Sequence, residues 1–177
     1  MSKLVVDFET RRSFQEVGGK ANLEALEISV AGAYDYDADV YHAFEVHELN
    51  HLEDLLEKST LVIGFNSIEF DLPVLKPYLK RVNIINLEQL DIMKELQEVL
   101  GYRVGLEKVT NGTFGIKKSG HGLQAIEDWR AGRIQEIKDY CIDDVKITKQ
   151  IYDYGLEHGS LKFNAGWEVY EVPVNFR

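Results

Sequence analysis

The 177-residue chain contains one cysteine, three prolines and two tryptophans. One thiol permits no internal disulfide, and a chain of this length buries enough surface to fold without such staples. Cys141 therefore reads as a small apolar side chain in a reducing, cytoplasmic setting. Long hydrophobic runs are missing too. The opening MSKLVVDFETRR turns acidic and then basic within a dozen residues, unlike a secretory signal or a transit peptide, and no stretch approaches the roughly 20 apolar residues of a membrane span. No membrane partner is expected. Basic residues are scarce: 20 Lys and Arg stand against 30 Asp and Glu, a formal net charge of -10. That balance excludes a module that grips nucleic acid through a broad basic face. It does not exclude an enzyme that gathers acids around divalent cations, whose charge offsets theirs. With no linker, internal repeat or low-complexity segment, residues 1–177 read as one domain, in which 160–177 forms a C-terminal hairpin or tail.

What is present is organised around residues 133–155, RIQEIKDYCIDDVKITKQIYDYG. Ile134, Ile137, Cys141, Val145 and Ile151 recur at spacings of three and four, the period of a helix with one buried face. Asp144 falls inside that apolar arc, with Tyr140 one turn earlier at its edge, while Asp143 points to solvent. An inward carboxylate is costly unless a cation, a metal or a set of N–H donors meets it.

Residues 3–8 (KLVVDF) read as a strand, on which Val5, Asp7 and Glu9 share one face. Leu4, Val5, Val6 and Phe8 are apolar on both faces, the pattern of a buried central strand. Two like charges held side by side in such a strand repel unless a cation lies between them. Residues 11–25 read as a loop beyond the end of this strand. Residues 27–35 and 39–45 read as two further strands of a meander, residues 47–58 as an amphipathic helix, and residues 60–65 (TLVIGF) as a short buried strand. Asp71 then precedes Leu72-Pro73, where it serves either as a helix N-cap or as an inward ligand. Asn66 follows the strand end, where its amide contacts substrate or closes a turn. Residues 83–87 (NIINL) suggest another strand, followed by helices over 91–100, 104–116 and 121–131, with Trp129 in the core. The basic groups Arg11-Arg12 and Lys117-Lys118 are either solvated surface or phosphate contacts.

VVDFET, GFNSIEFDLPVL and YCIDDVKIT resemble the three exonuclease motifs of the DEDD superfamily of ribonuclease H-like nucleases. The middle motif is similar to that of the proofreading domains of family B DNA polymerases. With the KKSGHGLQAIEDWRAGRIQEI stretch included, the chain resembles bacterial stand-alone or helicase-associated ribonuclease H-like exonucleases. The resemblance covers most of the chain and implies an α/β fold, a mixed sheet of three antiparallel strands followed by parallel ones, flanked by helices. It assigns the metal-binding carboxylates to Asp7, Glu9, Asp71 and Asp144. Tyr140, four residues before Asp144, marks the tyrosine subclass, and Asp139 stands where the histidine subclass would carry its histidine. Asn66 is carried over as a substrate contact. Phe65 beside it, Thr10 beside Glu9, and the basic Arg11 and Lys117 complete the candidate substrate-binding set.

The implied activity is 3'-5' exonucleolytic hydrolysis of phosphodiester bonds at single-stranded ends, DNA favoured over RNA, with two divalent cations, Mg or Mn. Oxygen-only ligands suit these hard cations. In the implied mechanism the cations hold the attacking water and the leaving oxygen in line. Asp7 would bridge both, Glu9 and Asp144 would hold the first, and Asp71 would reach the second largely through water. Tyr140 would orient the water, since a phenol with an ordinary pKa of about 10 is a poor base at neutral pH. A helicase or polymerase is the implied protein partner. Two other functions fit the same acids: a ribonuclease H-type or structure-specific endonuclease, and a catalytically silent nucleic-acid-binding accessory module.

Overall fold

The computed structural model describes residues 2–116 and 122–176. Its first strand, β1 (Lys3–Thr10), runs between β2 (Ile28–Asp35) and β4 (Leu61–Gly64). Beyond β2 lies β3 (Val40–Glu45), and beyond β4 lies β5 (Gln89–Asp91), giving the order β3-β2-β1-β4-β5. The β1–β2 and β2–β3 pairs are antiparallel, whereas β1–β4 and β4–β5 are parallel. This is the mixed sheet expected from the sequence.

Both faces of β1 are covered, as its apolar run requires. Leu4, Val6 and Phe8 pack with Leu49, Leu52 and Leu56 of α1 (Leu49–Lys58) and with Val74 and Leu75 of α2 (Asp71–Leu75). Val5 faces the other way, into a core shared with Val145, Ile151 and Tyr152 of the long helix α6 (Ile134–His158). Around that second core stand α3 (Ile92–Leu100), α4 (Leu106–Phe114) and the hairpin β6 (Ser160–Ala165) and β7 (Glu168–Pro173). The last helix to place is α5 (Gly122–Arg130), which packs against α6. No described helix is long and apolar enough to cross a membrane.

Residues 83–87 are not a strand. Ile84–Asn86 form a turn of 3-10 helix closed by the Asn83 side chain, which accepts the Ile85 N–H at 3.1 Å, and Ile85 is 83% exposed. The local cap outcompetes the β-branched composition of NIINL, and the sheet position is taken by Gln89–Asp91 instead.

The close approach of α6 to the sheet depends on Gly32 of β2. A Cβ there would lie 2.8 Å from both Cys141 Sγ and Val145 Cγ2. Replacing Gly32 by alanine is therefore expected to destabilise the fold by about 1–3 kcal/mol through overpacking, read as a fall in the thermal midpoint. An unchanged midpoint would mean that α6 has slack here.

Candidate functional site

The site forms where three segments end. Asp7 and Glu9 project from the α6-facing side of β1, next to Val5, as strand alternation dictates. Gly32, which is paired with Asp7 in the sheet, lets α6 come close enough for Cys141 to donate its Sγ–H to the Asp7 carbonyl oxygen at 3.1 Å. One helical turn from Cys141, the buried Asp144 arrives beside the strand pair. One carboxylate oxygen from each of Asp7, Glu9 and Asp144 lies within 4.8 Å of the others. Asp143 pairs with Lys146 at the surface, at 2.9 Å.

Asp71 reaches the same cleft from the opposite side of β1. It does not cap its helix: α2 begins at Asp71 itself, after Phe70. Pairing of β4 to β1 stops at Val5–Ile63, so the N–H of Phe8 has no β4 partner, and Asp71 Oδ1 accepts it at 2.8 Å. Burial raises the pKa of this carboxyl from 3.8 to about 7, helped by the negative charges of Asp91 and Asp144 and opposed by the Phe8 N–H. Burial likewise pushes the Cys141 thiol well above its ordinary value, with Asp7 and Glu9 adding to the effect. A thiol held protonated is a donor and a packing group, not a nucleophile.

An open cleft of about 640 Å³ contains Asp7, Glu9, Asp71, Tyr140 and Asp144. Thr10 and Phe65 line it as well. Its apolar wall also uses Phe14, Leu26, Phe70, Leu123 and Ile126, none of which the sequence singled out as a site residue. Phe14 and Phe70 meet edge to face, 5.8 Å between centroids.

Two expected substrate contacts point elsewhere. Arg11 stacks on Trp129, 4.3 Å from the ring centroid, and lies 3.4 Å from Glu27, while Arg12, itself 2.8 Å from Glu27, lines the cleft. Regular pairing of β1 ends at Thr10, where the register skips Ser29 of β2, so strand alternation does not extend to Arg11 or Arg12. Trp129 is accordingly half-buried with its ring face occupied, not sealed in the core. Asn66 turns its side chain to Arg103, whose Nη2 donates to it, and adopts a left-handed backbone with φ 68°. Lys117 lies outside the described residues.

All four acids present oxygen to one cleft, and among the described residues no histidine or thiolate lines it, so the donor set fits a hard divalent cation. Three carboxylates this close repel one another in a partly dry setting, and a cation removes that repulsion.

Comparison with known proteins adds a family model, the RNase H superfamily, which matches residues 22–155 and so spans Asp71, Tyr140 and Asp144 but begins after Asp7 and Glu9. Among solved structures, the chain is similar to the family B DNA polymerase of the hyperthermophilic archaeon Pyrobaculum calidifontis, at 16% identity and a TM-score of 0.65. The match covers 88% of this chain and 24% of the polymerase chain. No curated protein matches the sequence.

Proposed function

We propose a function on one premise: this chain belongs to the RNase H superfamily. On that premise it is a metal-dependent nuclease, and specifically a 3'-5' exonuclease that removes nucleotides from single-stranded ends, DNA before RNA. The observation that carries the reading is the convergence of Asp7, Glu9 and Asp144 within 4.8 Å, with Asp71 in the same cleft.

Asp7, Glu9, Asp144 and Asp71 are the residues that would hold two divalent cations, Mg or Mn. Such ions supply charge neutralisation at the phosphate, a water made acidic enough to attack at neutral pH, and stabilisation of the leaving oxygen. The protein's own part is placement. Asp7 and Glu9 are fixed by the central strand, Asp144 by the buried face of α6, and Asp71 by the Phe8 N–H. Tyr140 lines the cleft one helical turn before Asp144, where its hydroxyl can orient a water.

The cleft walls favour a frayed end over a duplex. Phe14, Phe65 and Phe70 offer ring faces and edges to unstacked bases, and base–aromatic stacking contributes about 1–3 kcal/mol per base. Arg12 supplies a cation on the cleft wall, in a chain whose net charge is -10. Few phosphates are neutralised in this way, so binding should weaken only gently with salt. In the polymerase it resembles, this fold is about a quarter of a longer chain. That supports a polymerase- or helicase-class partner for this chain too.

The test is product analysis with oligonucleotides labelled at the 5' end, single- and double-stranded, DNA and RNA, in Mg and in Mn. The expected result is a ladder shortening one nucleotide at a time from the 3' end of single-stranded DNA. Internal cuts would replace the exonuclease with an endonuclease, and intact substrate under every condition would leave only a binding module.

A further inference from the structure

We propose that Asp91 is a positioning residue for Asp71, acting through the loop that joins β4 to α2. Asp91 ends β5, next to Gly64 at the end of β4. Its carboxylate is buried at 3% exposure and takes four backbone N–H groups. Oδ1 accepts Met93 at 3.1 Å and Lys94 at 3.3 Å, which caps α3, and also accepts Asn66 at 2.7 Å. Oδ2 accepts Ile68 at 3.0 Å. Capping α3 is an ordinary task for an aspartate; the bonds to Asn66 and Ile68 belong to a different segment.

That segment is tightly constrained. The chain leaves β4, passes through Asn66 in its left-handed conformation, and folds so closely over Gly64 that a Cβ there would lie 2.3 Å from the Ser67 Cβ. It then enters α2 through the Leu72 N–H bond to the Ser67 carbonyl at 2.9 Å, delivering Phe65, Phe70 and Asp71 to the cleft. At its outer side Arg103 pairs with Glu69 at 2.9 Å, a half-exposed contact of small effect. Asp91 is the buried latch. Displacing a reacting group by about 1 Å can cost on the order of 100-fold in rate, so a latch on this loop bears on turnover while lying outside the cleft.

The two oxygens allow the roles to be separated. Asp91→Asn keeps an acceptor for Met93, Lys94 and Asn66 but opposes a side-chain amide to the Ile68 N–H. Asp91→Ser retains a helix cap and reaches neither loop amide. The reporter of Asp71 placement is the Phe8 amide, since Asp71 is the group that holds it. Native-state hydrogen exchange by NMR, in metal-free protein, should show Ile68 and Phe8 losing protection by about tenfold or more in Asp91→Asn, with Met93 and Lys94 unchanged. Asp91→Ser should loosen Asn66 as well. Loss at Ile68 with full protection kept at Phe8 would overturn the proposal, because Asp91 would then latch the loop without placing Asp71. Unchanged protection at Ile68 would overturn it sooner.

The turnover arm rests on the nuclease reading. With labelled oligonucleotide and Mn, Asp91→Asn should lower kcat about tenfold and leave KM within about twofold. A kcat equal to wild type alongside a loosened Phe8 would also overturn the role. A wild-type protein without activity would sink the nuclease reading alone, since the exchange at Phe8 decides positioning without any turnover.

Discussion

Replacing Asp7 by asparagine is expected to lower nucleolytic turnover by at least about 10³-fold, equivalent to about 4 kcal/mol of transition-state stabilisation, with little loss of stability in metal-free protein. Asp7 shares the carboxylate group with Glu9 and Asp144 and, on the central strand, is paired with Gly32 of β2. Asparagine is nearly isosteric, so packing against α6 and the Cys141 bond to the Asp7 backbone oxygen both survive. What disappears is one negative charge. Without cations, its removal relieves repulsion and holds or raises the thermal midpoint; with cations, it weakens their binding. The measurement is a pair of assays on one preparation: product formation with Mn, and thermal midpoints in EDTA and in Mn. Product formation within tenfold of wild type would mean that hydrolysis does not use this cluster. A lowered midpoint in EDTA would mean that Asp7 serves packing, not cation binding.

How far the site was legible in the sequence depended on what fixed each side chain. Asp7, Glu9 and Asp144 sit in long regular elements, where a period of two or of 3.6 residues decides which way a side chain points. Their direction could be read before any coordinates, and so could the meander of β1, β2 and β3; the parallel strands beyond it were implied by the family resemblance. Regularity failed at three places. Arg11 and Arg12 lie beyond the end of β1, where no strand period decides which of them faces the cleft. The fifth strand is three residues long, too short for a pattern, next to an apolar turn that looks more strand-like than it is. Asp91 was hidden because its partners Asn66 and Ile68 lie 25 and 23 residues upstream, joined to it only by the pairing of β5 with β4. Phe14 and Phe70 were hidden for a related reason: they come from two loops that the fold brings together, whereas Phe65 was legible beside Asn66.

Asp71→Asn is expected to stabilise the metal-free protein at alkaline pH and to make it less stable than wild type once cations are added. The folded carboxyl has a pKa of about 7 against 3.8 when exposed, because burial disfavours the charged form. Below about pH 3.8 both states carry the proton, and the group contributes nothing to the pH dependence. As pH rises from there towards 7, the unfolded chain releases its proton and the native one keeps it, so stability falls. Above 7 the buried charge is carried in full, at a cost that linkage caps on the order of 4 kcal/mol. Asparagine keeps an oxygen for the Phe8 N–H and never ionises, which removes this dependence. In EDTA the two midpoints should lie close together below about pH 4, separate as pH rises towards 7, and keep a steady gap above it. At pH 8 the variant should be higher by several degrees, since 1 kcal/mol moves the midpoint of a chain this size by about 2–4 °C. Other carboxyls, including Glu45 and Asp128, whose pKa values are lowered by Lys138 and by Gln124 and Arg133, make stability fall at the acid end of the range. The difference between wild type and variant cancels their contributions. Cations at about 100 times Kd add about 2.7 kcal/mol to a protein that binds them, which narrows the gap, and at about 10⁴ times Kd they add about 5.5 kcal/mol, so saturating Mn should raise wild type above the variant at pH 8. Curves that stay parallel across pH 5 to 8 in EDTA would show that Asp71 is already ionised without a cation. An order unchanged by Mn would place Asp71 outside the cation site.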